Sequence, residues 1–200
     1  NVMQTTPLTL LAGANMVSNR QAATGQTSTL GFGSLSRSAG TVIDFQGAGL
    51  GVNTRNRITF TTAPTPDDGI LGGWAYVGNE FAAYDTTIGS VTTFGAYVTS
   101  AESAWVATDN IKHSMAVAST TTLTGNRTVN SLNLVVTGAA GTDPILALAG
   151  NTLTIDAGGL ILSGTDSVTL SATTGGALTV GPGADSLYEL AARIASGRTL

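Results

Sequence analysis

Three copies of a short acidic motif are where side chains are best placed to do chemistry. Gly141-Thr-Asp-Pro-Ile145, Gly164-Thr-Asp-Ser-Val168 and Gly183-Ala-Asp-Ser-Leu187 each set an aspartate two residues after a glycine, which puts Asp143, Asp166 and Asp185 23 and 19 positions apart. If the chain coils once per interval, the three carboxylates stack about 4.8 Å apart along one edge. Carboxylates that close repel unless a cation bridges them, and such an oxygen ladder suits calcium. The tandem spacing and second glycine of calcium-binding nonapeptide repeats are missing. The leading expectation is therefore an aspartate accepting a backbone hydrogen bond in each turn, with glycine supplying positive φ. Calcium is the alternative, and no other cofactor is implied.

Aromatic residues form the second candidate. Seven of the eleven fall between positions 74 and 105: Trp74, Tyr76, Phe81, Tyr84, Phe94, Tyr97 and Trp105. Exposed, Trp74, Tyr76, Tyr84, Tyr97 and Trp105 would stack on sugar faces or dock a neighbouring chain. Buried, they would seal an irregular segment onto the body of the fold, and their large apolar area makes burial the leading expectation.

The remaining candidates are weaker. Asp67, Asp68, Glu80 and Asp85 invite a paired-carboxylate hydrolase, but Pro66-Asp-Asp-Gly69 is first a turn signal. His113 is the sole histidine and sits beside the sole lysine, Lys112, so it cannot build a metal cluster and reads as a solvated strand end. Gly47-Ala-Gly-Leu-Gly51 and Gly31-Phe-Gly33 lack the spacing and following helix of a phosphate loop. Asn126-Arg-Thr128 fits the N-glycosylation acceptor, a tripeptide common by chance. These residues do not assemble into an enzyme.

The elements that would carry them are short strands. Segments LNLV (132–135), LTID (153–156), LILS (160–163), VTLS (168–171), LTVG (178–181) and LYEL (187–190) alternate apolar with small or polar residues. From Leu153 onward they start 7, 8, 10 and 9 residues apart, too close for intervening helices. Gly, Asn, Asp or Pro fills nearly every gap. Strand and turn repeated at this cadence predict an all-β solenoid of about 20 residues per coil and about seven to nine coils.

Composition agrees. Charged residues make up 10% of the chain, against ~25% in an ordinary soluble domain, while Thr is commonest at 33, with 16 Ser and 26 Gly. The formal charge is −4, and the seven Arg and one Lys are scattered. The absence of a basic stripe excludes nucleic acid or an anionic membrane as the expected partner. The chain has no Cys, which favours an address outside the cytoplasm, and no apolar run long enough for a membrane helix. Neither end shows a signal peptide or a capping helix, so both read as cut. We expect one domain over 1–200, with first coils over 1–62, an aromatic-rich excursion over 63–118 and regular coils over 119–200. Strand-like pieces in the first stretch are Leu8–Leu11, Ser28–Phe32, Thr41–Phe45 and Arg57–Thr61, separated by GAN, GFG and GAGLG turns.

The succession GSLSRSAGTVIDFQGAGLG, RITFTTAPTPDDGILGGWAYVGNEFAAYD, TDNIKHSMAVASTTTLTGNRTVNSLNLVV and NTLTIDAGGLILSG resembles bacterial β-strand-repeat proteins, large surface proteins related to autotransporter passengers and adhesins. The likeness spans residues 30–190. It implies a right-handed parallel β-helix, secretion, and a non-catalytic role at the cell surface or in extracellular matrix. The family's glycine-rich LTKSGAGTLTLSG-like repeat and its C-terminal membrane barrel are missing. The sequence therefore predicts an extracellular structural or adhesin-like protein that self-associates end to end. A carbohydrate-binding module using the excursion's rings is the alternative, and a polysaccharide-cleaving β-helix enzyme a third reading.

Overall fold

A computed structural model of the chain describes residues 2–3, 6–21, 23, 25–52, 55–173 and 175–200. Its strands run parallel in stacked coils, a β-solenoid of about six turns. The chain divides into two compact units, Asn1–Gly95 and Ala96–Leu200.

In the first unit, β1 (Val2–Met3), β2 (Leu8–Leu10) and β3 (Gly13–Ser18) lie parallel beside β4 (Ser28–Phe32), β5 (Leu35–Arg37) and β6 (Thr41–Gln46). β7 (Asn56–Phe60) continues on β4, and β8 (Ala75–Val77) on β6. β6 and β7 show why these segments are strands: Thr41, Ile43 and Phe45, like Asn56, Ile58 and Phe60, are buried, and the residues between them are half-buried. Phe32 and Phe60 stand in register on neighbouring coils, and their rings stack at 5.9 Å. β8 then turns back through β9 (Glu80–Asp85) and β10 (Ser90–Thr93), an antiparallel meander on the last rung.

The second unit is built on β11 (Asn110–Ala116), β13 (Arg127–Thr137), β15 (Thr152–Gly164) and β17 (Ala177–Val180), with β18 (Ala191–Ile194) on the far half of β15. A second face stacks β12 (Thr120–Thr122), β14 (Ile145–Ala147) and β16 (Thr169–Ser171). Leu132, Leu134, Leu153, Ile155, Leu160 and Leu162 belong to a core that also takes Leu146 and Val168. A single 3-10 turn, Glu102–Ala104, precedes β11.

Four expectations need correction. Coils are longer and fewer than the cadence implied: Thr41 stands beside Gly13, 28 positions back, and Thr169 beside Ile145, 24 back, the range running from 21 at Asn110↔Ser131 to 32 at Gly159↔Ala191. Three of the short segments, LTID, LILS and VTLS, complete one coil before Leu178 returns beside Leu153, so a coil exceeds the ~20 residues expected. LTID and LILS are one strand, β15, whose ladder with β13 slips between Val129 and Ser131. LYEL is not a strand, because Ser186 and Tyr188 take left-handed backbone (φ 58° and 50°) and pairing resumes only at Ala191. Gly13-Ala-Asn15 is not a turn but the start of β3.

Candidate functional site

The predicted stacking of acidic turns holds for two of its three members. Asp143 precedes β14 and Asp166 precedes β16, and these strands are neighbours in register, so the carboxyls meet one coil apart. Asp166 is pinned by the backbone: Oδ2 accepts the Gly141 N–H at 2.6 Å and Oδ1 the Ser167 N–H at 3.0 Å. Those bonds hold its carboxyl below the usual range. Desolvation first, then the hydrogen bond and charge of Asp166, push Asp143 up. As pH falls, Asp143 is therefore the member that takes up a proton first, and Asp166 stays ionised longer. The Arg198 guanidinium favours the charged form of both and donates from Nε to the Gly164 carbonyl at 3.2 Å. Asp185 does not join them. Its Oδ1 accepts the Leu187 N–H at 3.2 Å, the turn-capping role expected from its motif. Among the described residues no three His, Asp or Glu side chains are grouped as a metal-ligand set.

The aromatic candidates separate by burial. Trp74, Tyr76 and Trp105 are buried, and Tyr84 and Tyr97 half-buried. Arg37 lies 5.0 Å over the Trp74 ring, and Lys112 lies 5.3 Å over Tyr97, so cations already occupy faces that a sugar would use. Tyr76 packs on Phe81 at 6.0 Å, and Tyr84 on Phe60 at 5.9 Å.

Tyr84 also does something that sequence reasoning missed. Its hydroxyl accepts the Phe60 N–H at 3.2 Å and donates to the Phe60 carbonyl at 3.3 Å. Ser90 Oγ repeats the pattern two residues along β7, accepting the Ile58 N–H at 3.2 Å and donating to the Ile58 carbonyl at 3.3 Å. Side-chain hydroxyls therefore take the place of the next strand and cover the β7 edge. In the second unit, Val98 does the same for β11 with its backbone, accepting from Lys112 at 3.0 Å and donating to Asn110 at 2.9 Å.

Beside β11 lies a second group without a sequence signature. Glu102, 9% exposed, receives Arg127 Nε at 3.0 Å on Oε2, and the Thr124 N–H and hydroxyl at 3.2 and 2.7 Å on Oε1. Trp105 enters the core from the same turn, donating its indole N–H to the Ser100 carbonyl at 3.1 Å. His113 is mid-strand rather than at a solvated strand end. It meets Trp105 edge-on at 5.5 Å, its Nε2 lies 2.8 Å from Thr121 Oγ1, and burial lowers its pKa. Asp67 and Asp68 occupy the tight turn that PDDG predicts, with Asp68 at φ 45° and a backbone bridge between Asp67 and Ile70. Asp85 caps the next turn through the Thr87 N–H at 2.7 Å.

No protein-family model matches the chain, and no curated protein or solved structure is found similar to it. The likeness to β-strand-repeat surface proteins rests on the sequence motifs alone.

Proposed function

We propose that this is a non-catalytic extracellular protein, structural or adhesin-like, that associates with itself through its coil edges. The observation that carries the reading is a contrast between edges. β7 and β11 have their open edges occupied by Tyr84, Ser90 and Val98. Among the described residues, β2 and β3 pair only with β5 and β6, and β16 and β17 only with β14 and β15. None of β2, β3, β16 and β17 carries a charged residue, the usual guard against edge pairing. Edges without a guard charge are open to pairing with a second copy, and a contact between two different edges propagates instead of closing.

The uncharged surface suits such an assembly. Thr154 and Thr179, in register on neighbouring coils, join hydroxyls at 2.8 Å, so the outer face is wet without charge repulsion between coils. The lack of Cys and the sequence likeness support a secreted, cell-surface setting. Negative-stain electron microscopy of the purified chain tests the reading. Rods many chains long are expected, and uniform single-chain particles at every concentration would overturn it.

A further inference from the structure

We propose that the first unit carries, independently of the assembly above, a binding site for a small hydroxylated carboxylate of the sugar-acid class. The site is a cleft of about 390 Å³ lined by Arg20, Gln21, Gln46, Gly47, Ala48 and Asn56. That volume falls within the ~300–1,000 Å³ of small-molecule sites. It lies at a coil corner, where the chain leaves β3 and β6 and where β7 begins.

The corner is rigidly built. Asn19 is buried and donates from Nδ2 to the carbonyls of Ser28 at 2.9 Å and Arg57 at 2.8 Å, while Ser28 Oγ donates to its Oδ1 at 2.6 Å. A side chain at Gly47 would place its Cβ 2.7 Å from the Asn19 carbonyl, so the cleft wall can hold only glycine there. Asn56, 1% exposed, donates from Nδ2 to the Ala48 carbonyl at 2.7 Å, which fixes its amide and turns Oδ1 away from that bond.

Against this order stands a concentration of unmet polar atoms. Asn56 Oδ1 and Gln21 Oε1, on two residues that line the cleft, are buried without a hydrogen-bond partner in the protein. Buried polar atoms left unpaired destabilise a fold, and two on the lining of one cleft indicate a site completed by something that binds there.

The polar inventory defines the ligand. Two amide oxygens require donors, and hydroxyl groups supply them without the desolvation cost of an ammonium, which would also need a carboxylate that the lining lacks. The exposed guanidinium of Arg20 at the rim matches a carboxylate. Among the described residues no aromatic or large aliphatic side chain lines the cleft, so an apolar ligand has little to bury against there. Gln21 is half-buried on the cleft lining.

Calorimetric titration with D-glucuronate, D-glucose and acetate tests the assignment. Glucuronate should bind at millimolar concentration or below, about tenfold more tightly than glucose, the ratio expected of one charge-assisted bond. Arg20→Gln should erase that preference, and acetate alone should not bind. Gln21→Met should weaken glucuronate binding yet raise the melting temperature of the free protein, because it removes an unpaired buried acceptor. Absence of glucuronate binding, equal affinity for glucose and glucuronate, or a Gln21→Met variant no more stable than wild type would each overturn the proposal.

Discussion

Replacing Trp105 by alanine separates the structural from the sugar-binding reading of the aromatic residues. The ring is 4% exposed and packs in the core with Ile111, Leu123 and Val129. Truncating a buried Trp to Ala costs about 3–5 kcal/mol through lost transfer energy and the cavity left behind. The substitution also deletes the bond to the Ser100 carbonyl and the edge contact with His113, contributions of about 1 kcal/mol each that place the value in the upper half of that range. A loss of about 4 kcal/mol shifts the folding equilibrium almost a thousandfold. The assay is urea unfolding followed by circular dichroism, with hydrogen exchange at β11 and β13 to localise the loss. Val106→Ala, one residue on and 55% exposed, serves as the control and should stay within about 0.5 kcal/mol of wild type. A Trp105→Ala protein that unfolds within about 1 kcal/mol of wild type would refute the reasoning.

Three further outcomes follow from the same geometry. Glu102→Ala should cost about 3 kcal/mol, because it strands the partly buried Arg127 and two donors of Thr124, and the double variant with Arg127→Ala should recover part of that loss in a denaturation cycle. Because burial lowers the His113 pKa below its unfolded value near ~6.5, the unfolded chain binds the proton first. Stability should therefore be complete above ~6.5 and decline as pH falls through that value toward the folded pKa, and His113→Gln should flatten the decline in pH-dependent melting curves. Asp143→Asn should raise the melting temperature at neutral pH, where the wild-type pair would otherwise carry two close negative charges, and the gain should vanish in acid once Asp143 is protonated.

β4, β6 and β7 were read to within a residue. In β6 and β7 the alternation matched burial, because side chains at every second position face one core, whereas β4 is half-buried apart from Gly31 and forms by pairing with β7. β3 was illegible because Gly-Ala-Asn has turn composition; its Asn15 is accommodated by side-chain bonds to the carbonyls of Gly13 at 3.0 Å and Val42 at 3.2 Å, and the strand forms by pairing with β6. LYEL misled for the opposite reason, since its alternation is good but the preceding coil bulges at Gly158. There the Glu189 carbonyl passes so close that a Cβ would collide, and the chain cannot pair until Ala191. The acidic motif shows the same arithmetic at the site. The 23-residue interval from Asp143 to Asp166 nearly matches the 24-residue coil there, whereas the 19-residue interval to Asp185 matches no coil. Glu102 and Arg127, and the hydroxyls of Tyr84 and Ser90, carry no motif because their partners are set by coil length and by backbone edges, neither of which a single sequence prints.

Sedimentation velocity over a concentration series, run on wild type and on Met16→Lys, tests self-association through exposed coil edges most directly. Met16 is 64% exposed on β3, which among the described residues pairs only with β6, and a lysine there is the guard charge the strand lacks. The predicted result is wild-type protein that shifts to faster-sedimenting species as concentration rises, with the shift lost or strongly reduced in Met16→Lys at unchanged secondary structure. A wild-type chain that sediments as one monomeric species throughout, or a Met16→Lys chain that assembles as wild type does, would contradict it.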